Sequence, residues 1–153
     1  MEYLSPNTDQ QFNDAINLFK EYANSLNISL DFQNFQEELN IIKSMYGSPT
    51  GCLLLVYENN EAIACAAYRK IGEGIAELKR MYIKSNFRGK GIAQQLLDML
   101  CDKAKLNGYK FMRLDTLDTM VPAIKLYHNN LFYDIPAYCY NPNEGVIYME
   151  KVL

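Results

Sequence analysis

Five basic residues stand between positions 79 and 90 (Lys79, Arg80, Lys84, Arg88 and Lys90), with no acidic residue among them. The whole chain carries a formal charge of −3, so this basic cluster is a local feature. It implies a multiply charged ligand rather than a general basic surface. The cluster ends in Arg88-Gly89-Lys90-Gly91-Ile92-Ala93, between a strand-like run and a strong helical pattern. Glycines there let backbone N–H groups approach a ligand closely. A helix start leaves its first N–H groups unpaired and adds partial positive charge. Together these features suit an anion such as phosphate. On residue types alone a second reading stays open: a tight turn into a helix, flanked by solvated lysines. Neither G-x-x-x-x-G-K-[ST] nor G-x-G-x-x-G is present, which weakens a nucleoside triphosphate or NAD reading.

Other reactive residue types offer less. Cys52, Cys65, Cys101 and Cys139 form no C-x-x-C pair, and His128 is the single histidine. That is a poor zinc site and a poor disulfide framework. No metal is expected. Three of the cysteines sit in apolar runs, where a free thiol behaves as a small buried hydrophobe. The expected setting is reducing and cytoplasmic. Asp115 and Asp118 follow a short strand and are expected to cap or turn, with substrate contact as the alternative.

These residues need a scaffold. The chain has 153 residues, 49% hydrophobic and 22% charged, the size of one ordinary domain, and no linker or repeat divides it. We take residues 1–153 as one domain. The acidic balance disfavours nucleic acid and anionic membranes as partners. The start lacks a basic n-region and an apolar h-region. The longest apolar runs, such as 52–57, fall far short of the ~20 residues a membrane helix needs.

Residues 8–26 read as an amphipathic helix with a Thr8–Gln11 capping box. A weaker helix is expected from Phe32 to Met45. Three strands follow, Cys52–Glu58, Glu61–Ile71 and Ile75–Ile83, joined by Asn59-Asn60 and Gly72-Glu73-Gly74 as an antiparallel meander. From Ile92 a helix presents Leu96, Leu97, Leu100, Cys101 and Ala104 on one face and stops at Asn107-Gly108. A strand at Phe111–Asp115 and a helix opened by Pro122 come next. Two last strands are expected near Ala137–Tyr140 and Val146–Lys151. The fold class is α/β, a mixed and mostly antiparallel sheet flanked by helices.

Two blocks carry a resemblance. Glu77-Leu78-Lys79-Arg80-Met81-Tyr82-Ile83 followed by Phe87-Arg88-Gly89-Lys90-Gly91-Ile92-Ala93 resembles the central motif of the GCN5-related N-acetyltransferases (GNAT), whose pattern [QR]-x-x-G-x-[GA] is filled by Arg88, Gly91 and Ala93. Ala123-Ile124-Lys125-Leu126-Tyr127 resembles the family's second hallmark, about thirty residues on with one strand between. The order of elements agrees over nearly the whole chain. One departure is Leu131-Phe132 where the family often has Gly-Phe. An asparagine of Asn129-Asn130 is expected to take over the left-handed helix stop.

The resemblance implies the single-domain GNAT fold, with acetyl-CoA as co-substrate and an amine as acceptor: a small molecule, a lysine side chain or a peptide N-terminus. It implies that amides from Arg88 to Ala93, including Gly89, Lys90, Gly91 and Ile92, hold the CoA diphosphate. It also implies that backbone at Met81, Tyr82 and Ile83 pairs with the pantetheine, and that Ala123 and Leu126 complete the cofactor site. A backbone N–H near Met81–Ile83 would receive the charge that grows on the thioester oxygen. Glu77 is the candidate general base, with Glu73 a poorer one, and Tyr127 the candidate general acid. No covalent cysteine intermediate is expected, and His128 is expected at the surface. Tyr133, Tyr138, Tyr140 and Tyr148 either line the acceptor site or are ordinary strand residues. A homodimer is one arrangement known among such domains. The competing function is a non-catalytic acyl-CoA-binding module of the same fold. A longer acyl donor is a further alternative.

Overall fold

A computed structural model describes residues 1–153, the side chain of Phe32 apart. Its elements in chain order are β1 (Glu2–Leu4), α1 (Asp9–Ser25), a 3-10 turn (Asp31–Gln33), α2 (Phe35–Asn40), α3 (Ile42–Met45), β2 (Cys52–Glu58), β3 (Glu61–Gly72), β4 (Ile75–Ile83), a 3-10 turn (Ser85–Phe87), α4 (Ile92–Leu106), β5 (Phe111–Leu117), α5 (Val121–Asn129), β6 (Tyr133–Ile135) and β7 (Val146–Val152). The strands form one sheet in the order β1-β2-β3-β4-β5-β7-β6. Only the β4–β5 pairing is parallel.

The centre of the sheet is buried on both faces. Residues 52–56 of β2 and 63–68 of β3 are all buried, the unbroken apolar texture of strands covered on two sides. Alternation sends Leu54, Val56, Ala64, Ala66 and Tyr68 to one core with Leu96, Leu97, Leu100 and Ala104 of α4. It sends Leu53, Leu55, Cys65 and Ala67 to the other, with Ala15, Leu18 and Phe19 of α1. The Thr8 capping box opens α1 as expected, the Thr8 hydroxyl accepting from Gln11 N at 3.1 Å. Asn59 and Asn60 take left-handed φ values of 50° and 64° in the β2–β3 hairpin.

Two expectations need correction, and one strand is additional. The helix read across 32–45 is a 3-10 turn and two short helices, because Asn34 adopts φ +54° and breaks the run. The strand expected at 137–140 is irregular, and the short edge strand lies earlier, at Tyr133–Ile135. Pro136 follows it and supplies no ladder N–H. β1 was not foreseen; it pairs Glu2–Leu4 with Leu55–Tyr57 at the sheet edge. No helix, among the described residues, is long and apolar enough to cross a membrane.

Candidate active site

The parallel pairing of β4 with β5 covers three positions only: Ile75 with Phe111, Ala76 with Met112 and Glu77 with Arg113. Beyond Glu77 the strands part. β4 keeps β3 as a neighbour to Ile83, and β5 keeps β7 to Leu117. The gap is therefore bounded by two free strand edges, whose amides and carbonyls want partners. A cavity of about 520 Å³ occupies it. Gly89, Gly91 and Ile92, with Ala123, Leu126 and Tyr127, line the cavity on the α4–α5 side, and Tyr22, Ser25, Lys79 and Asp115 line it on the α1 side.

At the α4 mouth, Gly89 and Gly91 hold φ of +77° and +79°, conformations that disfavour any side chain, and a Cβ on either meets nothing within 4 Å. The N-cap Gly91 contributes no side chain, and its carbonyl accepts the first helical bond, from Gln95 N at 3.1 Å. The amides of the turn before Gln95 are left for a ligand. Behind them, Gln94 and Asn130 exchange two side-chain hydrogen bonds of 2.7 and 2.9 Å, and Asn130 Nδ2 also donates to Leu126 O at 2.7 Å. These bonds fix the end of α5 against the start of α4. The left-handed residue after α5 is Leu131, φ +70°, rather than an asparagine; Asn130 closes the helix through its backbone N–H, to Leu126 O and Tyr127 O, and through its side chain.

Met81, Tyr82, Ile83, Arg88, Gly89, Gly91, Ile92, Ala93, Ala123, Leu126 and Tyr127 all line the cavity, so most of the sequence-derived site assembles there. Lys90 does not; its ammonium lies 5.3 Å from the Phe87 ring. The five-cation cluster divides. Arg80 lines the cavity but is held in a buried ion pair, donating from Nε and Nη2 to Glu38 at 2.9 and 2.7 Å and from Nη2 to Gln33 at 2.8 Å. Lys84 pairs with Glu61 and Glu21. Arg88 Nε donates to Ile83 O at 3.0 Å. The cluster is thus no single anion site: Lys79 and Arg80 both donate to Gln33 Oε1, Lys84 and Arg88 are held by Glu61 and the Ile83 carbonyl, and Lys90 lies off the cavity.

Glu77 is buried and lies just outside the cavity wall. Its Oε1 accepts from Arg69 Nε at 3.0 Å and its Oε2 from the Tyr138 hydroxyl at 2.7 Å, with Lys79 Nζ 3.9 Å from Oε1. Tyr138 stands in the segment read from sequence as a strand, its ring 5.5 Å from that of Tyr148 and from the Arg113 guanidinium. Tyr127 is 8% exposed, against Phe132. Burial, and then Tyr22 and Asp115, push its phenol well above the usual tyrosine range, so it stays protonated.

Asp115 is the finding that sequence underweighted. β5 runs two residues further than expected, so Asp115 sits inside the strand and is the one carboxylate lining the cavity among the described residues. The alternation of buried Met112, Leu114 and Thr116 with Arg113 and Asp115 was the available sign. Tyr22 and Ser25, also unforeseen, come from α1. The remaining reactive groups lie outside the cavity wall. Cys52, Cys65 and Cys101 are buried thiols. Partial burial, with Asp115 and Glu77, pushes the Cys139 thiol up to about 11. His128 meets Asp134 at the surface.

The profile of the acetyltransferase (GNAT) family matches residues 13–131. The chain belongs to that family. An uncharacterized N-acetyltransferase of Schizosaccharomyces pombe is 34% identical over 92% of this chain and 87% of its own length. A GNAT-family acetyltransferase from Staphylococcus aureus superposes with a TM-score of 0.82 at 18% identity, covering 99% of this chain and 98% of that one. The PaiA N-acetyltransferase of Thermoplasma acidophilum, solved in complex with coenzyme A, gives 0.73 at 17% identity over all of both chains. The GNAT chain is thus an acyltransferase whose structural relatives include a CoA complex.

Proposed function

We propose that this GNAT chain transfers the acetyl group of acetyl-CoA directly to a primary amine. The observation that carries the reading is the gap between β4 and β5, with free strand edges on both sides and an anion-ready helix start at one mouth. Amides from Arg88 to Ala93 would hold the diphosphate, and backbone from Met81 to Ile83 would pair with the pantetheine. Ala123 and Leu126 supply apolar wall.

Direct transfer needs an amine without its extra proton, a donor for the thioester oxygen and an acid for the departing thiolate. An ordinary alkylamine, pKa about 10.4, is mostly protonated at neutral pH. Glu77 is the proposed base. Its carboxylate lies under the α1-side opening, so the proton would reach it through a water or the Tyr138 hydroxyl. A backbone N–H in Met81–Ile83 would stabilise the oxyanion. Tyr127, kept protonated by burial, would donate to the thiolate. With Glu77 and Tyr127 both at the gap, we favour an enzyme over a binding-only module. Four free thiols support a cytoplasmic setting for it.

The test is release of CoA thiol from acetyl-CoA in the presence of a panel of primary amines. The expected result is amine-dependent release, falling about 10²–10⁴-fold in Glu77→Gln. Tight acetyl-CoA binding without release for any amine would favour the module instead.

A further inference from the structure

The α1-side opening of the cavity holds two opposite charges: Lys79, whose one ion pair, with Glu77, is long and shared with Arg69, and Asp115, which has no ion pair among the described residues. The side chain of Lys79 is 8% exposed. Its nearest partner is the neutral amide oxygen of Gln33 at 3.2 Å. Glu77 is 3.9 Å away and already accepts from Arg69 and Tyr138. A buried cation so placed is poorly compensated. Asp115 takes bonds only from neutral groups among the described residues, Asn141 Nδ2 at 3.2 Å and Cys139 Sγ at 3.8 Å.

The two are matched in the sheet. Glu77 pairs with Arg113 in the last row before the strands part. Lys79 stands two residues beyond Glu77, and Asp115 two beyond Arg113. With a period of two, both share that row's face and flank the gap. Cys139 lies near all three: after burial, Asp115 and Glu77 push its thiol up and Lys79 opposes them, and its Sγ is 3.8 Å from Asp115. The other cations at the cavity are engaged, Arg80 by Glu38 and Arg88 by the Ile83 carbonyl.

We infer that the acceptor is a small zwitterion, an amino acid, whose carboxylate is bound by Lys79 and whose ammonium is bound by Asp115. This rests on the N-acetyltransferase reading above and narrows it. A lysine side chain or a polyamine would satisfy Asp115 and leave Lys79 unanswered. A peptide N-terminus has an amide carbonyl where the carboxylate is needed. Acetylation would remove the ammonium charge and with it the hold of Asp115, which favours product release.

The experiment measures CoA thiol release by the whole chain at saturating acetyl-CoA. Acceptors are the free amino acids, their carboxamides, their decarboxylated amines and a lysine peptide with blocked ends. An amino carboxamide carries the more acidic ammonium and is chemically the readier nucleophile, so preference for the acid reports binding. At least one amino acid should exceed its carboxamide and its amine in kcat/KM by at least about tenfold. In Lys79→Met that ratio should collapse toward one through KM, and Lys79→Arg should keep part of it. Asp115→Asn should raise KM for amino acid and amine alike. The inference is overturned if a decarboxylated amine or the peptide matches every free amino acid, or if the ratio survives Lys79→Met. If Lys79→Met does not fold, the wild-type ratio alone decides. Acetyl-CoA stabilisation of the same protein separates the two levels. Binding and turnover with carboxylate-free amines overturns this inference only, whereas no binding and no turnover removes the parent reading too.

Discussion

Tyr127 carries an ordinary side chain in an unusual position. It lies on a helix face that packs against Phe132, yet it also lines the cavity between β4 and β5. Burial holds its proton in place, which is the state an acid needs before the thiolate forms. A thiol is far more acidic than an alcohol, with a reference pKa near 8.5, so the help required is moderate. Tyr127→Phe removes one oxygen and little volume. Turnover should fall by about 10²-fold, the low end of general acid–base effects, while acetyl-CoA still binds. Steady-state kinetics alongside a binding titration checks this. Unchanged kcat would mean that solvent protonates the thiolate and that Tyr127 is a packing residue.

Elements must hold such residues in register, and on the α1 side of the cavity a buried ion pair ties β4 to α2. Arg80 sits at the β4 bulge in a left-handed conformation, and its guanidinium forks onto Glu38 of α2. Tyr46, whose backbone N–H ends α3, adds a hydroxyl bond to Glu38 at 3.0 Å. The side chains are 4% and 1% exposed, so removing one partner strands a charge. Glu38→Ala should cost about 3–5 kcal/mol in urea unfolding, and Glu38→Leu with Arg80→Met should recover most of it. If the pair also positions the bulge, the double variant should regain stability without regaining kcat; full recovery of both would make it a stability device only. None of this was legible in advance. Strands β2 to β4, α1 and α4 announced themselves through alternation, the Thr8 capping box and the Leu96–Leu97–Leu100 face, because local pattern and tertiary burial agree there. The break at Asn34, the left-handed Leu131 and the irregular stretch around Tyr138 depend on partners far along the chain. The same holds at the site. Gly89, Gly91 and Tyr127 could be read from neighbouring residues, whereas Asp115 gained its place only through where β4 and β5 part.

At the scale of the molecule, the gap is also a structural weakness. Three paired positions join β4 to β5, while the strands on either side are laddered at seven registered positions each. The sheet is therefore two well-knit parts held at one end, with the α4 core and α5 spanning the opening. A ligand that bonds to both edges would act as the missing ladder. By mass action, acetyl-CoA at a hundredfold excess over its dissociation constant should stabilise the chain by about 2.7 kcal/mol. For a chain of this size that corresponds to a rise of roughly 5–10 °C in the unfolding midpoint. Location is the sharper criterion than magnitude. Amide exchange should slow along Leu78–Ile83 of β4, at the amides of Gly89–Ala93 and along Leu114–Leu117 of β5, and change little in β1 and β2. A midpoint shift with protection spread evenly over the sheet would mean that CoA binds elsewhere and that the gap is no cofactor cleft.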